Sequence, residues 1–475
     1  MLLHDLIATA DPSSPALVFG DETWTFADLA GHAARVGSVL EERTAPGDRV
    51  ALVGPNRSAY VAALYGIPAV GRVAVPLNQR LAPAELQAQA ARVGATLVIG
   101  DEFPGAVSWA EWEAESAAMA AARPSEQVRA DDPAWILFTS GTTGTPKGAV
   151  LTHGSLLGAI RGANAARPVA PDDVYLYCFP LCHVASYNVA CLHAEGRPVV
   201  LMAGFDAATL PRLVARHGVT RLSLAPTMLS MLLDDPELDP RAFATVRQVA
   251  YGASSMAPDL LRRGRDTLGV GFAQGYGMTE LSGNAVFLDE AGHQAALADQ
   301  PHLLRAAGRP GPEVMVRIAE DGEILVRGPQ VMAGYWDEPD ATAATIVEGW
   351  LHTGDIGEID AEGYVYVVDR AKDIVITGGE NVSSREVEDV LADHPAVGQV
   401  AVIGVPDDRW GEAVCAVVVP RNGVEVTLED LVAHTRGRLG GFKQPRRLVL
   451  VDALPVNAGG KVLKRELRTQ VAGDG

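Results

Sequence analysis

One stretch of the sequence combines glycines, hydroxyl side chains and a lysine, which is the chemistry of a phosphate-binding loop. It runs Thr139-Ser-Gly-Thr-Thr-Gly-Thr-Pro-Lys147, and it follows an apolar run that predicts a strand. Glycines let the backbone approach an anion closely, while hydroxyl and amide groups donate to phosphate oxygens. A Walker A loop is excluded, because Gly144 precedes Lys147 by three residues and Gly148 follows it. A flexible surface turn is the alternative, and the candidate phosphate-binding residues are Thr139, Ser140, Gly141, Thr142, Thr143, Gly144 and Lys147.

This loop resembles the phosphate loop of the adenylate-forming superfamily, which includes acyl-CoA synthetases, firefly-type luciferases and the adenylation domains of peptide synthetases. Further segments resemble that superfamily in the same order along the chain. They are Gln274-Gly-Tyr-Gly-Met-Thr-Glu280, Trp350-Leu-His-Thr-Gly-Asp355, Asp369-Arg-Ala-Lys-Asp373, Gly378-Gly-Glu380 continuing to Glu388, and Gly459-Gly-Lys461. Each segment alone has a purely structural explanation, such as an acid in a turn or a solvated lysine in a loop. Five motifs in the order of the superfamily together predict one site.

The resemblance implies a role for each of these residues. Tyr276 would stack on adenine, Thr279 would bond the α-phosphate and Glu280 would hold Mg²⁺. Asp355 and Arg370 would bind the ribose, and Lys372 would be the pivot between two domains. Lys461 would be the catalytic lysine of adenylation. The remaining predicted cofactor-binding residues are Gly252, Ala253, Ser254, Gln274, Gly275, Gly277, Gly378, Gly379 and Glu380.

The implied reaction joins a carboxylic acid to a second nucleophile at the expense of ATP. The acid carboxylate would attack the α-phosphorus, and pyrophosphate would leave an acyl-adenylate. Coenzyme A is the expected acceptor, since the segment from Gly378 to Glu388 and the sequence Trp410-Gly-Glu412 resemble thioester-forming members. An acyl carrier protein or a nitrogen nucleophile is the alternative acceptor. A nucleotide- or acyl-binding protein without catalysis is a further alternative, which the presence of Lys461, Glu280 and Asp355 disfavours.

The acyl pocket is predicted from two segments that also resemble the family. Pro180-Leu-Cys-His183 contains a histidine that would border the pocket and take part in catalysis, and Tyr251-Gly-Ala-Ser254 would lie beside the substrate. Gly275 would leave room for a chain or a ring, so a fatty or aryl acid is expected. The polar groups of Tyr187, Asn188, His193 and Glu195 depart from a plain fatty-acid pocket and could recognise a polar or aromatic acid. A core role for His183, and exposure at a helix end for the polar stretch, are the alternatives.

Composition narrows the class of protein further. The chain of 475 residues has a formal net charge of -20, which disfavours general binding to nucleic acid because such binding needs clustered cations. The start of the chain lacks the basic residues of a secretion signal, and no apolar run is long enough to span a bilayer. A cytoplasmic location is therefore expected. Four cysteines do not make a disulfide framework, and a metal site around Cys178, Cys182, His183, Cys191 and His193 is disfavoured because paired Cys-x-x-Cys spacing is missing.

The elements that must position these motifs are those of an α/β protein. Short runs rich in valine, leucine and isoleucine alternate with segments of helical period, as in parallel sheets with crossover helices. Closely spaced strands after Gly308 predict a smaller antiparallel, barrel-like part, and a compact α+β unit follows. The predicted strands include Arg49–Val53, Gln248–Tyr251 and Tyr364–Val368. Two helices are predicted to begin at capping boxes, one formed by Thr25 and Asp28 and the other by Ser383 and Glu386. We expect an N-terminal adenylation domain over residues 1–371 and a mobile C-terminal domain over residues 372–475.

Overall fold

The strands of this protein follow the apolar runs of its sequence. A computed structural model describes residues 1–139, 146–252, 256–378, 380–407, 409–421, 424–456 and 462–473. The strands are β1 (Pro15–Phe19), β2 (Glu22–Thr25), β3 (Arg49–Val53), β4 (Val73–Leu77), β5 (Ala95–Ile99), β6 (Pro133–Thr139), β7 (Lys147–Thr152), β8 (Tyr175–Tyr177), β9 (Val199–Leu201), β10 (Arg221–Ser223), β11 (Gln248–Gly252), β12 (Gly271–Met278), β13 (Gly283–Leu288), β14 (Ala306–Pro310), β15 (Met315–Ile318), β16 (Glu323–Arg327), β17 (Gly334–Tyr335), β18 (Ile346–Val347), β19 (Trp350–Ile359), β20 (Val365–Arg370), β21 (Val375–Thr377), β22 (Glu380–Val382), β23 (Val397–Asp407), β24 (Gly411–Pro420) and β25 (Arg447–Leu450).

Several helices begin at a residue whose side chain caps the first turn. Thr25 accepts a hydrogen bond from the Asp28 N–H while the Asp28 carboxylate accepts one from the Thr25 N–H, which closes the predicted capping box. The helices are α1 (Asp5–Ala8), α2 (Phe26–Arg43), α3 (Ser58–Ala69), α4 (Pro83–Arg92), α5 (Trp109–Ala118), α6 (His153–Ala166), α7 (Tyr187–Ala194), α8 (Leu210–His217), α9 (Pro226–Leu233), α10 (Pro258–Leu268), α11 (Glu290–Ala298), α12 (Pro339–Thr345), α13 (Ser384–Ala392), α14 (Leu428–Thr435) and α15 (Lys464–Gly473). None of the described helices has both the length and the apolar character that a membrane span requires.

The chain divides into two compact units. One consists of Met1–Val316 with Val326–His352, and the other of Arg317–Leu325 with Thr353–Gly475. The second unit therefore begins before Lys372, where we expect the mobile domain to start. These two units are defined by how residues pack together. The expected boundary at residue 372 is instead the point at which one domain moves relative to the other, so it stays a prediction.

Two sheets form the framework of the first unit. One contains strands in the order β14-β13-β12-β11-β10-β8-β9-β1-β2, and its central pairs from β9 to β12 are parallel. The other has the order β17-β7-β6-β4-β3-β5, with β3, β4, β5 and β6 parallel. Helices connect the parallel strands, so the predicted α/β architecture is confirmed.

The second unit is built on antiparallel strands with helices beside them. Strands β23 and β24 pair along nearly their whole length, and β21 pairs with β22. Helix α13 packs on this sheet through Val387 and Leu391, which are fully buried. The predicted N-cap Ser383 accepts from the Glu386 N–H, but the Glu386 carboxylate binds Lys443 instead of completing a capping box. The predicted α+β character of the C-terminal part is confirmed.

Candidate active site

Two antiparallel strands bracket the predicted phosphate loop. Strands β6 and β7 pair so that Thr139 lies opposite Lys147, the first and last candidate residues of the loop. Both ends of the loop therefore leave the sheet at the same point. The other predicted members lie outside the described residues: Ser140, Gly141, Thr142, Thr143 and Gly144.

A buried carboxylate, Glu280, lies directly after strand β12. It belongs to a short 3₁₀ turn, Thr279–Leu281, and is 6% exposed. Its Oε1 accepts a hydrogen bond of 2.8 Å from the Tyr335 hydroxyl. On the other side, the Lys147 Nζ lies 5.0 Å from the centre of the Tyr335 ring, within range of a cation–π interaction. One tyrosine thus links the cation at the base of the loop to the predicted Mg²⁺ ligand.

Tyr335 is held in place by its own short strand. Strand β17 pairs with β7, with Tyr335 opposite Ala149, and the Tyr335 N–H donates to Thr342 Oγ1. Burial, and next the Glu280 carboxylate, raise the pKa of Tyr335, so the phenol remains a hydrogen-bond donor. No hydrogen bond occupies Glu280 Oε2 among the described residues. A carboxylate with one oxygen fixed and the other open fits the oxygen chemistry of Mg²⁺.

Glycines shape the hairpin of β12 and β13 that leads into this turn. A Cβ atom at Gly277 would lie 2.0 Å from the Gly283 carbonyl oxygen, so only glycine permits this approach. At Gly275 a Cβ would lie 2.1 Å from Asn284 Nδ2. The room that we predicted above Gly275 is therefore partly filled by the Asn284 side chain. Asn284 was not among the predicted residues.

Neighbouring candidates on β11 and β12 point to opposite faces of the sheet. Tyr251 is paired with Gln274, and Gly252 with Gly275. Side chains alternate along a strand, so the face of Gly252 and Gly275 is not the face of the Tyr251 ring. The Tyr251 hydroxyl is bonded to Gln274 Oε1 at 3.1 Å and to His293 Nε2 at 2.8 Å. The predicted neighbours Ala253 and Ser254 lie outside the described residues.

The predicted pocket histidine has an unsatisfied ring nitrogen. His183 precedes a 3₁₀ turn, and its Nε2 is buried without a hydrogen-bond partner in the described part of the chain. Burial, followed by the charge of Arg80, lowers the pKa of His183 and favours the neutral imidazole. Asn56 fixes the preceding segment: it accepts from the Leu181 N–H and donates to the Phe179 and Met202 carbonyl oxygens. A neutral ring nitrogen with no partner can accept or donate a hydrogen bond to a bound ligand.

The polar residues of α7 divide into two groups. Tyr187 is buried against Gly283, and Asn188 binds the Ala185 carbonyl oxygen through its amide. Tyr187 therefore packs against β13. His193 instead belongs to the core, where Nδ1 accepts from the Tyr65 hydroxyl and Nε2 donates to the Ala16 carbonyl oxygen. Glu195 is exposed and accepts from Asn164.

That geometry corrects the prediction that all four polar residues serve one pocket. Both ring nitrogens of His193 are hydrogen-bonded to groups of the protein, so this histidine has a core role. We had considered a core role for His183 and not for His193. Glu195 has the exposure at a helix end that we held as its alternative. Tyr187 and Asn188 remain candidates.

In the second unit, the two predicted ribose-binding residues lie together. Asp355 on β19 is opposite Arg370 on β20, and Arg370 Nε lies 2.5 Å from Asp355 Oδ1. Asp355 is 3% exposed. The guanidinium holds the carboxylate in a defined orientation, in which it can accept hydrogen bonds from a diol.

Asp369 lies three residues before Lys372, the expected pivot. The Asp369 carboxylate accepts from the Ser384 N–H at 2.6 Å and from the Ser384 hydroxyl at 2.7 Å, at the beginning of α13. An acid at a helix N-terminus is favoured by the helix dipole. Lys372 is exposed in the 3₁₀ turn Ala371–Asp373. The chain is thus anchored just before the predicted pivot and exposed at it.

The segment that contains the predicted catalytic lysine is closed at its base. Val456 and Val462 form an antiparallel bridge, and the Leu463 N–H donates to the Pro455 carbonyl oxygen. Lys461 lies outside the described residues, between these two ends. Lys464 fastens the far end: its Nζ lies 2.7 Å from Glu388 Oε1 and 2.6 Å from Ser384 Oγ. Glu388 thereby helps to fix Lys464, three residues after Lys461.

An aromatic ring flanked by two arginines lies beside Gly378. The guanidinium carbons of Arg409 and Arg446 lie 4.9 Å and 4.6 Å from the Trp410 ring centre. A Cβ at Gly378 would lie 2.9 Å from the Trp410 ring, so the glycine allows close packing. Glu380 is exposed on β22, and Gly379 lies outside the described residues. We call Arg409, Trp410 and Arg446 the tryptophan–arginine surface.

Two family models match this chain. The model described as "AMP-binding enzyme" covers residues 6–336, and that described as "AMP-binding enzyme C-terminal domain" covers residues 386–461. The chain belongs to the AMP-binding enzyme family. The predicted membership of the adenylate-forming superfamily is thereby confirmed, and this AMP-binding enzyme is an AMP-forming ligase that uses ATP.

Relatives of known activity cover nearly the whole chain. A feruloyl-CoA synthase of Amycolatopsis sp is 37% identical over 97% of this chain and 96% of its own. ScoC of Streptomyces coeruleorubidus, a fatty acid–[acyl-carrier-protein] ligase, is 36% identical over 98% and 95%. The solved structure of o-succinylbenzoate CoA synthetase from Bacillus subtilis with its acyl-adenylate matches with a TM-score of 0.88, at 30% identity over 98% of this chain and 97% of that one.

Several residues that shape the site of this AMP-binding enzyme were missed by sequence reasoning. Tyr335 lies in a strand of two residues, which is too short to give a pattern. Asn284 follows Gly283 in a polar stretch that resembles a turn. Asn56 had one usable signal, an isolated amide three residues after the end of the buried strand β3. Each is recognised only through the group that it contacts.

Proposed function

We propose that this enzyme activates a fatty or aryl carboxylic acid with ATP and transfers the acyl group to coenzyme A. In the first step a carboxylate oxygen attacks the α-phosphorus, forming an acyl-adenylate and releasing pyrophosphate. In the second step the thiol sulfur attacks the acyl carbon, AMP leaves, and the thiol proton passes to solvent. The observation that carries the proposal is the pair of contacts that Tyr335 makes, a cation–π contact with Lys147 and a hydrogen bond to Glu280. Substrates of this kind support a cytoplasmic location.

The first step needs positive charge near the phosphates. Negative charge spreads over phosphate oxygens in the transition state, and preorganised cations and N–H donors stabilise it. Lys147 and the loop that it closes would guide the pyrophosphate, and Thr279 would donate to the α-phosphate. Glu280 would hold Mg²⁺, which neutralises charge on the phosphate oxygens when it is bound. Lys461 would bridge the attacking carboxylate and the α-phosphate.

The nucleoside would be held by residues of both motif groups. Tyr276 offers a ring for stacking on adenine, while the Asp355 carboxylate accepts from the ribose hydroxyls. The ion pair of Asp355 with Arg370 supports this role, because it orients the carboxylate.

The second step would follow a rotation of the C-terminal domain about Lys372. The rotation would withdraw Lys461 and bring the segment from Gly378 to Glu380 to the adenylate. Such a motion needs a pivot that is exposed and domains that remain rigid. The exposure of Lys372 supports it. The hydrogen bonds between Asp369 and Ser384 cross the pivot, so the rotation would have to break them.

Coenzyme A as acceptor is supported by the tryptophan–arginine surface beside Gly378. Arg409 and Arg446 have no ion-pair partner among the described residues, and both stack on Trp410. An indole with two guanidinium groups suits an adenine nucleotide with phosphates, because it offers stacking and bidentate charged donors. A carrier protein is the second candidate, and the likeness to ScoC favours it.

The proposal is tested by measuring pyrophosphate and AMP with a panel of fatty, benzoic and cinnamic-type acids. We expect pyrophosphate release with at least one acid, and AMP production that rises on addition of coenzyme A. The variant Trp410→Ala should raise the KM for coenzyme A about 10-fold, since stacking of a base on an aromatic side chain contributes about 1 to 3 kcal/mol. If AMP production does not change on addition of coenzyme A but increases on addition of an acyl carrier protein, the acceptor is the carrier protein. No pyrophosphate with any acid would overturn the proposal.

A further inference from the structure

A guanidinium group with incomplete hydrogen bonding lies beside the acyl-pocket candidates. Arg167 directly follows α6, and its Nη2 lies 3.5 Å from both the Tyr187 hydroxyl and Asn188 Oδ1. That distance is at the outer limit for a hydrogen bond. Its Nε is buried and has no partner in the described part of the chain. Arg167 therefore has hydrogen-bonding capacity that the described part of the protein does not use.

No carboxylate neutralises Arg167 among the described residues. The nearby Asp173 is already engaged by Arg221 and Arg247, at 3.4 Å and 2.7 Å. Arg221 also donates to the Arg167 carbonyl oxygen, so a second cation lies close to the first. Half-buried charges in proteins are normally paired, because burial without a partner costs free energy. A negative or oxygen-bearing ligand would supply the missing partner.

Other donors are directed to the same place. The Tyr187 hydroxyl lies at Arg167, and the Asn284 amide occupies the space above Gly275. Phe287 lies opposite Gly275 on the neighbouring strand, and its ring centre is 5.4 Å from the Arg167 guanidinium carbon. A guanidinium, a phenol and an aromatic face form a site for an oxygen attached to an apolar body.

The sheet sets an approximate distance from this site to the reacting end. Gly275 is four residues before Thr279, which would contact the α-phosphate, and each residue of extended strand spans about 3.3 Å. The separation is therefore about 13 Å along β12. An acid that reaches Arg167 must have its second polar group on the order of 10 Å from its reacting carboxyl, as a para-substituted cinnamic acid does.

We propose that Arg167, assisted by the Tyr187 hydroxyl, binds an oxygen at the far end of the acid, and binds it most strongly when that oxygen belongs to a second carboxylate. This inference rests on the proposed function, since it names the substrate class of the same site. It makes Arg167 a specificity-determining residue and predicts a preference for acids with a distal carboxylate or hydroxyl over unsubstituted chains and rings.

The test compares cinnamic, 4-hydroxycinnamic and 4-carboxycinnamic acid by pyrophosphate release. The wild type should give the highest kcat/KM with 4-carboxycinnamic acid and the lowest with cinnamic acid. Arg167→Met should lower kcat/KM for 4-carboxycinnamic acid about 10- to 100-fold, the usual effect of losing a charged hydrogen bond. The value for cinnamic acid should change less than about 3-fold. Arg161→Met, on the exposed side of α6, is the control and should leave kcat/KM unchanged for both acids.

A second variant separates recognition from folding. Tyr187→Phe keeps the buried ring against Gly283 and removes only the hydroxyl. It should lower kcat/KM for the two substituted acids several-fold and leave cinnamic acid unchanged. Equal losses for all three acids in both variants would overturn the inference, as would a wild-type preference for cinnamic acid. Pyrophosphate release with none of the wider panel would instead count against the proposed function.

Discussion

The Tyr335 hydroxyl donates a 2.8 Å hydrogen bond to Oε1 of the buried Glu280. This bond fixes one oxygen of the carboxylate and leaves the other available to a cation. A second contact between the same segments, from the Met332 N–H to the Glu280 carbonyl oxygen, holds the turn of Glu280 against β17. The orientation of the predicted Mg²⁺ ligand therefore depends on a residue 55 positions away in the sequence.

Removing that hydroxyl should weaken the use of Mg²⁺. We expect Tyr335→Phe to raise the Mg²⁺ concentration for half-maximal pyrophosphate release and to lower kcat about 10-fold, since a hydrogen bond to a charged group contributes about 1.5 kcal/mol. Tyr366→Phe is the matched control, because Tyr366 also donates to a carboxylate, that of Asp360, in a surface turn. An unchanged Mg²⁺ requirement in Tyr335→Phe would refute the positioning role.

Lys461 should serve only the first half-reaction. We expect Lys461→Ala to reduce adenylate formation at least about 100-fold, because the cation would stabilise charge that develops on the attacking carboxylate and the α-phosphate. Thioester formation from supplied acyl-adenylate should stay within about 3-fold of the wild type. Arg465→Ala, an exposed cation four residues later, is the control. Equal loss of both half-reactions would contradict the assignment.

Strand positions and helix starts could be predicted from the sequence, because they depend on residues that are close together along the chain. The buried run Arg49–Val53 forms β3 with the predicted bounds, and the capping box of Thr25 and Asp28 begins α2 as expected. Caps and apolar periods depend on residues that are near each other in sequence. The pairing of Asp355 with Arg370 is also understandable from sequence, since a short hairpin joins β19 and β20.

Long-range contacts account for what could not be predicted. Gly275 and Gly277 disfavour a strand by propensity, yet both lie within β12. Glycine is needed at these positions because the Asn284 side chain and the Gly283 backbone approach too closely for a Cβ. His193 has the residue type of a ligand, and only its contacts with Tyr65 and Ala16 assign it to the core. Sequence alone does not reveal which polar group finds a partner.

The ion pair of Lys464 with Glu388 should stabilise the C-terminal unit more than a surface pair does. Their side chains are 14% and 21% exposed, and burial is the main cause that raises the pKa of Glu388. Lys464→Met should destabilise the local structure by about 2 kcal/mol, since an unpaired, largely buried carboxylate remains. Hydrogen exchange of the Val402 N–H, which donates to Glu388 Oε1, should quicken about 10- to 30-fold.

Two further variants test that explanation. Lys443→Met breaks the more exposed pair with Glu386, and it should cost less than about 1 kcal/mol. Adding Glu388→Gln to Lys464→Met should restore part of the protection, because the amide oxygen still accepts from Val402 without a charge. If the double variant exchanges as fast as Lys464→Met alone, the unpaired charge is not the cause.

His193 should make the stability of the first unit depend on pH. Burial lowers the pKa of this imidazole to about 4, whereas an unfolded chain has a value of about 6.5. Between these values the unfolded chain binds a proton that the folded chain does not, so stability rises with pH through the window and is lost as pH falls through it. His193 should account for about 2 kcal/mol of the loss between pH 7.5 and pH 5.

The measurement is chemical denaturation at both pH values, followed by tryptophan fluorescence. The double variant Tyr65→Phe with His193→Gln keeps a donor for the Ala16 carbonyl oxygen and removes the hydroxyl that would lose its acceptor. It should lose about 2 kcal/mol less than the wild type on acidification, while His302→Gln, at an exposed position, should not differ from the wild type. His153, whose pKa burial also lowers to about 4, remains in the variant, so part of the pH dependence should persist. An unaltered difference between the two pH values would show that the His193 imidazole is not the group that titrates.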